Sequence, residues 1–295
     1  MFSYKLLNYI KFNTLCESGS FMIFLALLSG FSFFPIANVS AQGNLLITPR
    51  RVVFEKAKKS FDLNLANTGL DTATFAISMI QIRMNEDGGF ETITKPDSNQ
   101  RFADQYIRFF PREVTLGPNE SQVVKIQLIR SNGMAPGEYR SHFYFRSLSK
   151  VKPLGEEDQA IDTTKISVRL NPVFGITIPA IIRVGESSVK VNLSNLSFEH
   201  VNDTIPRFKL VFNRTGNTSV YGNVIVDHIS PNGQITRVGG ANGIAVYTPN
   251  TIRRFELNLT NAHDVDFKTG KLRVIFAAAS DVRPVRYAEA ELLLR

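Results

Sequence analysis

The sequence is short of cysteine and tryptophan: its 295 residues include one Cys, Cys16, and no Trp. A single cysteine cannot form a disulfide within the chain, and it cannot build a multi-cysteine zinc or iron–sulfur site. The fold must therefore be held by burial of apolar side chains, for which a 43% hydrophobic composition is ordinary. The same composition excludes disorder as a description of the whole chain.

Motifs for catalysis and metal binding are equally scarce. The sequence contains no Gly-x-Ser-x-Gly turn, no phosphate-binding glycine loop and no paired-carboxylate pattern. The four histidines are scattered, and none has metal-ligand spacing to another: His142, His200, His228 and His263. We therefore expect a protein that is not an enzyme, with no catalytic residues, no metal and no cofactor.

The longest apolar run lies near the N-terminus, at residues 21–34. It follows Lys5 and Lys11 and precedes the small residues of Val39-Ser-Ala41. This order of basic, apolar and small residues is typical of a secretory signal peptide. We predict cleavage after Ala41, so that residues 1–41 are a signal and the mature chain is exported.

The alternative to a cleaved signal is a retained membrane anchor. The apolar run is short for a spanning helix and is interrupted by Gly30, with Pro35 just after it. No later stretch approaches the ~20 apolar residues that a span needs, so we expect no stable membrane insertion of the mature chain. Cleavage would also remove Cys16, leaving no thiol, and would lower the formal net charge from +8 to +7.

The basic residues occur as doublets or short clusters. Arg50-Arg51 and Arg253-Arg254 are examples, and neither belongs to a stripe with interleaved aromatic residues. Export also argues against nucleic acid as a partner. Most of the positive charge is therefore interpreted as solvated surface.

Segments in which apolar and polar residues alternate recur along the mature chain, about every 8–12 residues, as in β-sandwiches. The clearest are Phe61–Leu65, Phe75–Met79, Val123–Leu128, Ser141–Phe145, Val189–Leu193, Phe208–Phe212, Val224–Val226 and Leu272–Phe276. Turn signals separate them, and no window has a sustained helical period. The pattern predicts an all-β fold.

The two halves of the mature chain resemble each other. Leu63–Gly69 is echoed by Leu210–Gly216, in each case followed by a strand and a glycine turn. Two immunoglobulin-like β-sandwich domains would explain the echo, although chance similarity between β-rich segments is the alternative. We place the domains at 42–184 and 185–295.

The polar stretch 150–162 lacks strand character and is predicted to be a long loop.

Four segments resemble the periplasmic chaperones of the chaperone–usher pilus pathway (PapD-like). They are residues 45–54, 59–69, 107–125 and 136–145. The resemblance covers most of residues 44–184, whereas the second half fits only in size and strand content. Residues 174–183 resemble divergent branches of the family.

The resemblance implies a fold and a function. The fold would be two immunoglobulin-like β-sandwich domains in a boomerang arrangement. The function would be that of an ATP-independent periplasmic chaperone. It would bind pilus or fimbrial subunits by donor-strand complementation and deliver them to an outer-membrane usher. In that mechanism the chaperone adds its last domain-one strand to a subunit that lacks one, and alternate side chains fill the exposed groove.

The resemblance places the donor strand at residues 165–170. Ile166, Val168 and Leu170 alternate toward one face there. On alternation alone, an edge strand that covers its own core is the better explanation of the pattern. The long preceding loop and the family resemblance favour donation.

Family members bind the C-terminal carboxylate of the subunit with a first-strand Arg and a last-strand Lys. Aligning the first strand with the family on its Val-Phe pair places that Arg at Arg51. A guanidinium suits a carboxylate because it can bind both oxygens. A surface strand charge is the alternative. The Lys has no match in residues 171–179, and Lys165 or Arg169 could replace it only with a shifted register.

Two other function classes stay open from the sequence. A surface adhesin or fibre component could also be built from immunoglobulin-like domains, although no cell-wall or self-assembly signal is visible. A secreted β-sandwich enzyme or sugar binder would need clustered acids or aromatic platforms, and Tyr is dispersed. The sequence also leaves open whether the free protein caps its donor strand by forming a dimer.

Overall fold

The structure is a computed structural model that describes residues 45–55, 58–129, 133–148, 173–260, 265–279 and 285–294. All of these belong to one compact unit, residues 42–295. The predicted signal peptide, the predicted loop at 150–162 and the predicted donor strand lie outside the described residues.

Seventeen strands make up the described part of the chain, together with one 3-10 turn at Asp104–Tyr106. The first ten strands are β1 Leu45–Thr48, β2 Val52–Phe54, β3 Ser60–Asn67, β4 Ala73–Met84, β5 Phe90–Ile93, β6 Ile107–Phe110, β7 Glu113–Leu116, β8 Ser121–Leu128, β9 Gly137–Leu148 and β10 Gly175–Val184. The others are β11 Val189–Val201, β12 Ile205–Gly216, β13 Val220–Ile229, β14 Ile235–Val246, β15 Ile252–Asn258, β16 Lys271–Ala278 and β17 Arg286–Leu293.

Strands β1 to β10 form the first sandwich. One sheet has the order β1-β3-β8-β6, and the other has the order β2-β10-β9-β4-β5, with β7 also paired to β4. Between the sheets lies an apolar core that includes Phe54, Leu63, Ile126, Phe143 and Phe145, all at most 1% exposed.

Strands β11 to β17 form the second sandwich. Its sheets have the orders β11-β12-β15 and β14-β13-β16-β17. A separate core contains Phe208, Phe212, Val226 and Phe276, each fully buried. The predicted all-β fold of two immunoglobulin-like β-sandwiches is thus confirmed.

The strands form where the sequence alternates, because successive side chains of a strand point to opposite faces of its sheet. On β3, Leu63 and Leu65 are fully buried, whereas the alternate residues Asp62 and Asn64 are exposed. All eight alternating segments named from the sequence lie within strands.

Near its start, the chain moves from one sheet of the first sandwich to the other. Strand β1 pairs antiparallel with β3, and β2 then pairs parallel with β10, with Val52 opposite Ala180. Arg51 is the last residue before β2. The crossover therefore fixes Arg51 beside β10, at the side of the sandwich that meets the second sandwich.

Candidate functional site

The predicted carboxylate anchor, Arg51, lies between the two sandwiches. Its guanidinium carbon is 4.3 Å from the centre of the Tyr221 ring, and Tyr221 belongs to β13 of the second sandwich. Burial lowers the pKa of Arg51, and the nearby charges of Arg140 and Arg183 lower it further. The surroundings of Arg51 therefore disfavour its positive charge, and an anion beside Arg51 would stabilise that charge.

A cavity of about 190 Å³ opens at this position. Four arginines line it, namely Arg50, Arg51, Arg140 and Arg253, and neither Asp nor Glu is among the lining residues. The cavity therefore combines high positive charge with room for a group the size of a carboxylate.

One of these arginines already has a carboxylate partner. Arg140 Nη2 lies 2.7 Å from Glu138 Oε1, and both side chains are almost fully buried. Arg183 Nε lies 3.3 Å from the other oxygen of Glu138, which also accepts hydrogen bonds from the Ser219 N–H and hydroxyl. Burial alone would raise the pKa of Glu138, but Arg140, the Ser219 N–H and Arg183 outweigh it, and the pKa is lowered.

Aromatic residues form the other wall of the cavity. The guanidinium of Arg140 is 3.6 Å from the centre of the Tyr247 ring, a distance at which a cation and an aromatic face attract. The rings of His142 and Phe90 lie 5.9 Å and 5.6 Å from the same ring. Phe90 and Tyr247 are lining residues of the cavity, so an aromatic surface lies beside the arginines.

The site has more hydrogen-bond donors than acceptors. The Nε atoms of Arg51, Arg140 and Arg253 are buried, and none has a hydrogen-bond partner within the described part of the chain. A buried donor without an acceptor costs roughly 1–3 kcal/mol. An anion that entered the cavity could supply the missing acceptors and balance the charge.

An open sheet edge leads to this cavity. Strand β10 pairs with β9 along its whole length, from Gly175 to Val184. On its other side β2 covers only Ala180–Ile182, so among the described residues 175–179 have a partner strand on one side only. Pro179, the last residue of this edge, lines the cavity together with Arg51.

Of the predicted site residues, the structure describes only Arg51. Arg51 is placed in the cavity, whereas Ile166, Val168 and Leu170 lie outside the described residues. Sequence reasoning missed Arg140. Its side chain can be buried, at 5% exposed, because Glu138 balances its charge. Residues 175–179, the first half of β10, are Gly, Ile, Thr, Ile and Pro and include no basic residue.

Sequence reasoning also missed Arg253. Its doublet with Arg254 was the available signal, but we interpreted the doublet as solvated surface. That interpretation is wrong for Arg253, which is partly buried, and holds for Arg254, whose side chain is 64% exposed. Alternation on β15 explains the difference, because neighbouring residues of a strand point to opposite faces.

No group of three or more His, Cys, Asp or Glu side chains in the described ranges could hold a metal ion. Nor does the structure, in the part it describes, contain a helix long and apolar enough to cross a membrane.

These features define a class: an all-β protein of two immunoglobulin-like sandwiches, with a cationic cavity between them and an open strand edge beside it. No family model matches the sequence, and no curated protein matches it. Several solved structures of chaperones, some of them named for fimbriae or pili, are similar to the chain.

The YadV chaperone is 12% identical, with 85% of this chain and 100% of that chain covered and a TM-score of 0.44. The CsuC–CsuE chaperone–tip adhesion subunit complex of the archaic Csu pili of Acinetobacter baumannii is 12% identical, with 84% and 98% covered and a TM-score of 0.42. The CfaA chaperone of class 5 fimbriae is 14% identical, with 85% and 99% covered and a TM-score of 0.38.

Proposed function

We propose that the protein is a non-enzymatic chaperone that binds pilus or fimbrial subunits by strand addition and holds the C-terminal carboxylate of the subunit. One observation carries the proposal: the edge of β10 at residues 175–179, which has no partner among the described strands, ends at a cavity lined by four arginines. An open edge offers unpaired backbone groups to an incoming strand. The cavity offers positive charge to the end of that strand.

The direction of the incoming strand follows from the charge. Strand β2 runs parallel to β10 and begins at Val52, opposite Ala180. A partner strand parallel to β10 on the same edge would end beside Arg51 with its C-terminal carboxylate. An antiparallel strand would bring an N-terminal ammonium group to the same arginines, and repulsion would oppose it. The site therefore favours a parallel C-terminal strand.

The donor residues extend an alternation that is visible on β10. Ile176 packs against the first core and Ile178 is 4% exposed within it. Ile166, Val168 and Leu170 occupy the same alternate positions earlier in the sequence. We propose that these three side chains fill apolar pockets of the partner in the way that Ile178 fills its own core.

Other parts of the proposal come from the sequence. Residues 1–41 would be a signal peptide that directs the chain to the periplasm. Residues 42–184 would form the subunit-binding domain and residues 185–295 the second domain. An outer-membrane usher would receive the subunit. Described strands of the first sandwich end at Val184 and those of the second begin at Val189, which supports the proposed boundary.

The proposal is tested by expressing the chain with its predicted signal and identifying what co-purifies from the periplasm. We expect a small β-rich subunit in stoichiometric amount. Arg51→Ala should reduce its recovery at least about tenfold, because the carboxylate loses a desolvated ionic partner. Arg108→Ala is the matched control, since Arg108 is exposed on β6, outside the cavity lining. Equal recovery with both variants would contradict the role of Arg51.

A further inference from the structure

We propose that Arg253, on the second sandwich, is the second cationic group for the partner's C-terminal carboxylate, so that the two sandwiches bind it jointly. The inference rests on the proposed function and names a residue of the same site. The first sandwich contributes Arg51, and the exposed edge of β10 contributes no basic residue at positions 175–179.

The other arginines of the cleft are already engaged or exposed. Arg140 is paired with Glu138 at 2.7 Å, and Arg183 contacts the carboxylates of both Glu138 and Glu55. Arg50 is exposed and can keep its own hydration. An engaged guanidinium has little charge left for a ligand, so none of the three is a strong candidate for the second position.

Arg253 is partly buried, unlike Arg50, and forms no ion pair within the ranges that the structure describes, unlike Arg140 and Arg183. One terminal nitrogen donates to the carbonyl of Ala245, and Nε is buried without an acceptor. Its pKa is lowered, chiefly by burial, with partial compensation from Tyr247 and Asp87. Arg51 is in the same condition in the same cavity, with a buried Nε and a pKa lowered by burial. Two under-neutralised guanidiniums facing one cavity suit one carboxylate, whose two oxygens can accept from both.

The first sandwich holds Arg253 in this position. The turn between β4 and β5 contains Gly88, at a φ of +87°, and a Cβ there would overlap the Arg253 guanidinium. The same turn is fixed to β15 by the Arg254 N–H, which donates to the Glu86 carbonyl at 2.6 Å. Arg253 is therefore placed by contacts across both sandwiches, and the glycine makes room for it.

The test measures binding of acetate, the smallest stable carboxylate probe, to the purified full chain. The ¹⁵N–¹H signals of arginine Nε report the titration. We expect saturable shifts with the unaltered protein, and affinity at least about tenfold weaker with Arg253→Gln and with Arg51→Gln, since each removes a charge-assisted hydrogen bond. Arg254→Gln is the matched control and should bind within about twofold of the unaltered protein, because Arg254 does not line the cavity.

Arg253→Lys keeps the charge and guards against a folding defect: we expect it to bind acetate more tightly than Arg253→Gln. Full affinity in Arg253→Gln, with loss in Arg51→Gln, would overturn the inference and leave the proposed function standing. Absence of saturable acetate binding to the unaltered protein would overturn it as well. Acetate binding that depends on Arg253, without any subunit co-purifying from the periplasm, would support the site and defeat the chaperone proposal.

Discussion

At the scale of single residues, burial decides which side chains can carry charge. His142 on β9 is 3% exposed, its Nδ1 has no partner among the described residues, and Arg140 lies close to it. Burial and then the Arg140 charge lower its pKa from 6.5 to about 3. His142 is therefore neutral at ordinary pH and acts as a flat ring stacked on Tyr247.

The lowered pKa of His142 makes stability depend on pH. In the unfolded chain the imidazole of His142 takes up a proton near pH 6.5, whereas in the folded chain it does so only near pH 3. The contribution of His142 to the free energy of unfolding is therefore complete above pH 6.5. It is lost as the pH falls toward 3, at about 1.4 kcal/mol per pH unit. We expect His142→Gln to flatten the pH dependence of the free energy of unfolding between pH 4.5 and 6.5, measured by urea denaturation. His200→Gln, at an exposed position, should keep the slope of the unaltered protein.

At the scale of elements, strand β10 is divided between two roles. Its second half is sealed by β9 and β2, with Ile181 and Ile182 at most 1% exposed. Its first half has a partner strand on one side only among the described strands, and the residues just before it, Val173 and Phe174, are 56% and 41% exposed. Exposed apolar side chains beside an unpaired edge normally invite association, so this end of the strand is suited to a β-rich partner.

The donor-strand assignment gives a prediction at this scale. Changing Ile166 and Val168 together to Ser should abolish protection of the subunit while leaving the chaperone folded, because a hydroxyl cannot fill an apolar pocket. Subunit yield in the periplasm and circular dichroism of the purified variant are the measurements. Changing Ser167 and Arg169 to Ala alters the intervening positions of the predicted donor strand and should leave the yield intact. Normal yield from the Ile166/Val168 variant would remove these residues from the site.

At the scale of the whole molecule, a buried ionic cluster joins the sandwiches. Glu138, on β9 of the first, contacts Arg140 and Arg183 and accepts two hydrogen bonds from Ser219, which lies between β12 and β13 of the second. Asn250 of the second sandwich also donates to the Met84 carbonyl of the first at 2.6 Å. The cavity lies beside this cluster, so its shape depends on how the sandwiches are held.

Removing the carboxylate of this cluster should weaken the whole fold. Glu138→Ala leaves buried guanidiniums without their counter-charge, which costs about 3–5 kcal/mol in comparable cases. Asp62→Ala breaks an exposed pair with Lys125, whose side chains are 59% and 72% exposed, and should cost under about 1 kcal/mol. Urea denaturation followed by circular dichroism compares the two variants. Similar losses for both would show that the cluster does not contribute to cohesion.

The fold was more predictable than the site. Segments such as Val123–Leu128 and Leu272–Phe276 were identified as strands because a local period of two reports a half-buried strand directly. Arg51 was identified through its place in a first-strand pattern. Arg140 and Arg253 were not, because nothing local distinguishes a buried arginine from a solvated one.

What the sequence by itself determined was the class: alternation predicted the strands, the echo between halves indicated two sandwiches, and the single cysteine excluded a disulfide within the chain. Only the tertiary structure decided which charges meet. Arg51, Arg140 and Arg253 come from three strand regions on two sandwiches and line one cavity because of sheet pairing and packing between sandwiches. The physical reason is range: alternation acts between neighbouring residues, whereas the charge and desolvation of a site depend on every group that packing brings within a few ångströms.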